Sequence, residues 1–334
     1  MKLGFGLITC QRFPGDRRSF EELYADALDL AALAEDLGFD SVWVSEHHFV
    51  DDGYLPALLP MCAAIAARTS RVEIGTGLLL APLHEPLRLA EDAVVVDLIS
   101  GGRLILGLGV GWREEEFEAL GVPMAARGDR MERAIEVLRG AWSGELVGPS
   151  GVAVTPPPAR AGGPPIWIGA LAEPAVRRAG RLADGFMATD VTTEELARQV
   201  AWARDERERS GRDPAGLSVS IHVPTFPWNG SDAWERVAPF VRYVSWKYDD
   251  MEGARGRTGP PPAPPPASDE EELELHGSTL VGTPREVAER IRALDEAAGG
   301  DLHFVARLYY PGMDPGTQRE ALRVFAEEVA PLLR

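Results

Sequence analysis

Short β-type runs alternate along the chain with longer amphipathic stretches, strand first in each pair, and this order narrows the fold more than any other feature. The pattern predicts strands at residues 3–8, 41–44, 72–79, 103–109, 165–169, 185–188, 217–223 and 302–308, each followed by a helical stretch. Eight βα units imply a closed ring of parallel strands sheathed in helices. The expected fold is α/β: a single (β/α)8 TIM barrel over residues 1–334, with a long insertion after strand seven covering 224–282. The first helix shows how local the signals are. Ser19 and Glu22 have capping-box spacing, Leu23, Ala27, Leu30, Ala31, Ala34 and Leu37 recur at helical intervals, and Gly38 stops the run. After Pro86, Leu87, Ala90, Val94 and Leu98 form a similar stripe.

The insertion breaks the rhythm. It holds Gly259-Pro260-Pro261-Pro262-Ala263-Pro264-Pro265-Pro266 and then the acidic run Asp269-Glu270-Glu271-Glu272. Polyproline is stiff and solvated, and an acidic run does not bury itself. Connections after barrel strands emerge on the active-site face, so the segment reads as an irregular, mobile lid. No fixed period recurs, which disfavours solenoids and propellers.

The chain carries 52 acidic against 34 basic residues, a formal charge of −18. Such a surface repels nucleic acid and anionic lipid, so neither is an expected partner. Residues Lys2 to Ile8 are too short and too glycine-broken for a secretory h-region, and no apolar run approaches the ~20 residues of a membrane span. A cytoplasmic location follows as an expectation. Cys10 and Cys62 offer neither a disulfide framework nor metal-ligand spacing, and no metal is expected.

Chemistry concentrates after strand two, where Val42-Trp43-Val44 runs into Ser45-Glu46-His47-His48-Phe49. In a barrel this is the C-terminal mouth. A histidine there titrates near neutral pH and can exchange a proton with a substrate or hydrogen-bond a cofactor. His48 and Glu46 are the neighbours expected to orient His47. Adjacent histidines on a strand point to opposite sides, which argues against a shared metal. Gly75, Gly77, Gly107, Gly109 and Gly111 thin strands three and four, as a flat ligand approaching the backbone requires, although close packing explains Gly107 equally well. A dinucleotide fingerprint is rejected because Trp112 stands where its last glycine belongs. Thr9, Cys10, His84 and His222 read as core residues. Trp228, Trp234, Tyr243, Trp246 and Tyr248 are available to cover a substrate, while Trp234, Val237, Val241 and Val244 have the spacing of helix packing. No Gly-x-Ser-x-Gly elbow appears, which leaves hydrolysis a minor alternative.

These residues resemble the bacterial luciferase-like family of flavin-dependent monooxygenases. The resemblance spans nearly the whole chain. It rests on Leu37-Gly38-Phe39-Asp40-Ser41-Val42-Trp43-Val44 leading into Glu46-His47-His48-Phe49, and on Ile74-Gly75-Thr76-Gly77. Arg88-Leu89-Ala90-Glu91-Asp92, Ser100-Gly101-Gly102-Arg103-Leu104 and Leu280-Val281-Gly282-Thr283-Pro284 complete it. It implies reduced FMN at the barrel mouth, O2, a C4a-peroxyflavin, a small organic substrate, a separate flavin reductase and a homodimer. His47 matches the family's functional histidine. The cofactor-binding positions it suggests are Glu46, Thr76, Gly77, Leu78, Gly109, Val110, Arg113, Gly169, Ala170 and Leu171, with a non-proline cis bond at Gly77–Leu78. Val110 stands where luciferases have a phosphate-binding arginine, and the residues after strand five lack the family's hydroxyls. Backbone N–H groups of Gly169, Ala170 and Leu171 at the start of a helix are the substitute expected to hold phosphate, with Arg113, Arg177 or Arg178 supplying charge. Relatives on this barrel use the deazaflavin F420, so F420-dependent hydride transfer is the alternative activity. A flavin-binding, non-catalytic partner subunit is the third.

Overall fold

Eight parallel strands close into a ring in the computed structural model, which describes residues 1–189 and 191–334. They are β1 (Lys2–Ile8), β2 (Ser41–Val44), β3 (Glu73–Thr76), β4 (Leu104–Gly109), β5 (Ile166–Gly169), β6 (Gly185–Thr189), β7 (Ser218–Pro227) and β8 (Leu302–Arg307). Closure comes from β8, which pairs with β1 in the register Lys2↔His303 and with β7 in the register Leu302↔Val219. The intervening helices are α1 (Phe20–Asp36), α2 (Leu58–Arg68), α3 (Pro86–Ser100), α4 (Glu114–Ala119), α5 (Arg127–Trp142), α6 (Glu173–Leu182), α7 (Thr193–Arg209), α8 (Ala233–Gly253), α9 (Asp269–Ser278), α10 (Pro284–Ala298) and α11 (Pro315–Val324). The capping box expected at Ser19 and Glu22 opens α1, and its predicted apolar positions Leu23, Ala27, Leu30, Ala31 and Ala34 are buried. None of the described helices is long and apolar enough to cross a membrane.

The third strand is interrupted. It was expected over 72–79, but β3 stops at Thr76, the Gly77–Leu78 bond is cis, and pairing passes to a two-residue segment, Leu79–Leu80, alongside Leu108 and Gly109. The seventh strand instead runs on to Pro227, because Thr225 and Phe226 gain their own partner in a short strand, Leu280–Gly282, from the insertion.

Inside the ring, Trp43 and Trp167 pack at 5.4 Å between centroids with Leu7, Ile105, Met187 and Val305. His303 meets both indoles edge-on, and its Nε2 lies 2.7 Å from Ser41 Oγ. Burial pushes that imidazole down to about 3, so it stays neutral. Two of the glycines expected to admit a ligand serve this packing instead. A Cβ on Gly75 would lie 2.2 Å from the Trp43 ring, and one on Gly107 would lie 2.0 Å from the Thr76 carbonyl oxygen.

The insertion is more ordered than its proline and acid content suggest. It contains α8 and α9, and the acidic run forms the first turn of α9 under a capping box of Ser268 and Glu271. Glu272 of that run accepts hydrogen bonds from Trp234 Nε1 at 2.7 Å and Arg242 Nε at 2.6 Å, which explains how it tolerates partial burial. The chain after β2 holds α8 to the barrel mouth. Lys247, fully buried, pairs with Asp51 and, at 2.8 Å, with Asp250; Arg257 reaches the same two carboxylates. Tyr243 Oη donates to Asp52 Oδ2 at 2.9 Å, and Gln11 Nε2 donates to the same oxygen at 2.7 Å. An interior ion pair is costly to break on one side only. That makes α8 a clamped wall of the mouth, while residues 254–268 between α8 and α9 have the irregular backbone expected of the insertion.

Two outcomes follow from this packing. Lys247→Met leaves buried carboxylates short of a cation and is expected to lower the urea-unfolding free energy by about 3–5 kcal/mol. Gly75→Ala forces a methyl group into the Trp43 ring and is expected to cost about 1–3 kcal/mol in the same measurement.

Candidate functional site

Ring closure gathers the strand C-terminal ends around one cavity of about 1790 Å³. Its floor is made by the ends of successive strands. Glu46 and His47 come from the loop after β2, Gly77 and Leu78 follow β3, and Gly109 and Val110 end β4. Gly169, Ala170 and Leu171 lead from β5 toward α6. The Leu78 side chain fills the space between neighbouring glycines: a Cβ on Gly169 would lie 2.1 Å from its Cδ1, and one on Gly109 would lie 3.2 Å from its Cβ. The result is an apolar shelf of Leu78 set against Gly109 and Gly169. Val241, Val244, Trp246 and Tyr248 of α8 form part of the opposite wall, so Val244 faces the cavity rather than the packed core expected. His222, expected in the core, also lines it from the middle of β7.

Two positions expected to bind cofactor lie elsewhere. The Thr76 hydroxyl, fully buried, donates to the Gly107 carbonyl at 2.7 Å and stitches β3 to β4. Arg113 is buried outside the cavity lining, with Nε donating to Met251 O at 3.1 Å, Nη1 to His48 O at 2.6 Å, and Nη2 paired with Glu115. Its charge joins the loop after β2 to the end of α8, which removes it from the expected task of neutralising phosphate. Arg177 is likewise committed, to Glu173 and Asp205 at 2.8 Å each. Arg127 and Arg178 do line the cavity, and Arg178 is paired with Glu132 at 2.8 Å. Of the three backbone donors expected to hold phosphate, the Ala170 N–H is already given to Met187 O at 3.3 Å.

His47 is held from a place the sequence did not suggest. Its Nδ1 lies 2.9 Å from Oε1 of Glu116, a fully buried residue in the first turns of α4, and the same oxygen accepts the His48 backbone N–H at 2.8 Å. An oxygen that accepts one N–H and faces a ring nitrogen assigns the Nδ1 proton to the bond and leaves Nε2 for a ligand. Tyr54, Tyr248 and Trp112 meet the imidazole edge-on, with centroids 4.9, 5.5 and 5.7 Å away. Tyr54 Oη bonds Ser45 Oγ at 3.1 Å and Tyr248 Oη at 3.2 Å. The ring is therefore fixed on several sides. Glu116 replaces Glu46 and His48 as the orienting partner. The sequence offers one signal for it, the acidic run Glu114–Glu116 just past β4.

Glu46 belongs to a second cluster. Its Oε1 lies 2.8 Å from His48 Nε2 and 3.8 Å from His84 Nε2. Burial works to raise the carboxyl pKa, but the hydrogen bond from His48 and the charges of His84 and His48 outweigh it, and the group ends below its ordinary value. Burial also pulls His48 down, yet the bond to Glu46 and the charges of Glu46 and Glu116 leave the imidazole above its ordinary value. His48 lies outside the cavity lining, so the adjacent histidines do face different surroundings.

The chain matches the model of a family described as luciferase-like monooxygenase over residues 1–301. An F420-dependent glucose-6-phosphate dehydrogenase of Microbacterium testaceum (strain StLB037) is 30% identical over 334 residues, covering 92% of this chain and 93% of that protein. A 4-hydroxyprotoasukamycin monooxygenase of Streptomyces nodosus subsp. asukaensis is 27% identical, covering 99% and 92%. Other alignments span only about half of the relative they match. Among solved structures, the monooxygenase RslO1 from Streptomyces bottropensis superposes with a TM-score of 0.85 at 25% identity, covering 99% of each chain. With a family match running from the first strand through the last helix of the insertion and beyond, this chain is a member of the luciferase-like monooxygenase family.

Proposed function

We propose that the chain is a monooxygenase that takes reduced FMN from a separate reductase and uses O2 to oxygenate a small organic substrate in the cavity. The observation that carries this reading is His47, braced by buried Glu116 and ringed by Tyr54, Trp112 and Tyr248, beside the apolar shelf of Leu78 between Gly109 and Gly169. Similarity to the monooxygenase RslO1 at a TM-score of 0.85 supports the oxygenase side of the choice.

The residues present fit a flavin. The shelf suits one face of a planar ring, and Arg127 and Arg178 provide cationic lining for an anionic tail near the start of α6. A bound reduced flavin supplies the two electrons that O2 activation needs. The protein's tasks are positioning, proton handling and exclusion of water. His47 Nε2 hydrogen-bonds or exchanges a proton with the oxygen presented to it, while Glu116 fixes the tautomer and orientation. The aromatic wall and the clamped α8 keep the reacting groups from bulk water.

A second reading, F420-dependent hydride transfer, is favoured by the same pair. A carboxylate-backed imidazole is suited to take the proton from a substrate hydroxyl as hydride leaves, and the Microbacterium relative is 30% identical over 92% of this chain.

Anaerobic fluorescence titration separates the two readings: reduced FMN is expected to bind at least about tenfold more tightly than F420, a difference of about 1.4 kcal/mol. The opposite order assigns the protein to hydride transfer. With the preferred cofactor, His47→Ala is expected to lower kcat by about 10²–10⁴ while the cofactor dissociation constant stays within a few-fold. A variant that turns over at the native rate refutes the role given to His47.

A further inference from the structure

We propose that His84 and Glu46 form a proton path between solvent and the cavity, separate from the His47–Glu116 pair and resting on the reading that the cavity is where reaction occurs. Glu46 is 3% exposed and is the only member of its cluster that lines the cavity. Its two oxygens have different surroundings. Oε1 receives His48 Nε2 at 2.8 Å and stands 3.8 Å from His84 Nε2, whereas Oε2 is buried with no hydrogen-bond partner among the described residues. His84 sits on the turn between Leu79–Leu80 and α3, outside the cavity lining. Its imidazole is 36% exposed, yet its Nε2 is the buried edge, turned toward Glu46. One carboxylate therefore connects a ring that meets water with a cavity that does not need to open to it.

The chemistry suits that placement. An imidazole titrates near neutral pH and accepts a proton on one nitrogen while releasing one from the other. When the 3.8 Å gap closes to hydrogen-bond distance, a proton taken up by His84 passes from Nε2 to Glu46 Oε1; the carboxyl then turns about its Cγ–Cδ bond and gives that same proton to an acceptor in the cavity, which restores the carboxylate for His48 to hold. His48 anchors the carboxylate, and its positive charge is opposed by Arg113 and favoured by Glu116, both facing it from α4 and the residue before α4. The proposed oxygenation has a use for the path. A reduced flavin monoanion, O2, substrate and one proton give oxidised flavin, oxygenated product and water, so each turnover draws one proton from outside.

The test needs no cofactor. In chain labelled with ¹⁵N-histidine, NMR measures exchange of the His48 Nε2 proton with water. His84→Ala is expected to slow that exchange by at least about tenfold, and millimolar imidazole to restore it, as when a small general acid replaces a missing one. An unchanged rate in His84→Ala, or a slowed rate that imidazole leaves untouched, overturns the path. His84→Gln, which keeps side-chain volume but cannot relay, is expected to match His84→Ala; native exchange in it overturns the path as well. His84 is partly exposed, so both variants are expected to melt near the native temperature. Because exchange is read in the free chain, slowed exchange with no flavin affinity counts against the oxygenase reading alone, and native exchange with intact affinity counts against the path alone.

Discussion

The backbone pairing of β8 with both β1 and β7 is the contact on which the rest of the molecule depends. An open parallel sheet leaves two edges of unpaired N–H and C=O groups, whereas a ring leaves none. Closure also has a directional consequence. Because the strands all run the same way, their C-terminal ends share one rim, and residues as distant in sequence as Glu46, Gly109 and Gly169 become neighbours around one cavity.

That rim is paid for by a core that tolerates little change. The two indoles of Trp43 and Trp167 fill the barrel, and Gly75 exists to admit one of them. Several polar groups above this core hold one another in place, although Oε2 of Glu46 and Oε2 of Glu116 are buried without a hydrogen-bond partner among the described residues. Glu116 serves His47 and the His48 backbone, Glu46 serves His48, and Arg113 ties the same loop to α8. Polar groups fixed in place are the condition for a histidine to act on a ligand in a set geometry.

Much of the scaffold was legible because it is written in local pattern. The α1 capping box, the apolar stripe behind it and the strand before His47 each depend on residues a few positions apart, and each stands where the pattern put it. The insertion misled for the complementary reason. Proline and glutamate report what a segment does alone in water, and neither α8 nor α9 is alone: Lys247 and Tyr243 fasten one, and the pair Trp234 and Arg242 receives the other. Arg113 misled in the same way, since its neighbours in sequence gave no hint of the His48 and Met251 carbonyls that claim it.

By itself, then, the sequence determined the alternation of strand and helix, the closed ring that eight such units make, and the presence of a titratable cluster after the second strand. Only the tertiary structure decided which acid serves which histidine. Glu116 lies 69 positions from His47 and reaches it at 2.9 Å, while Glu46, one position away, turns to His48 and His84. Hydrogen bonds between side chains act over about 3 Å of space, and nothing in local spacing records which distant residues the folded barrel brings within that range.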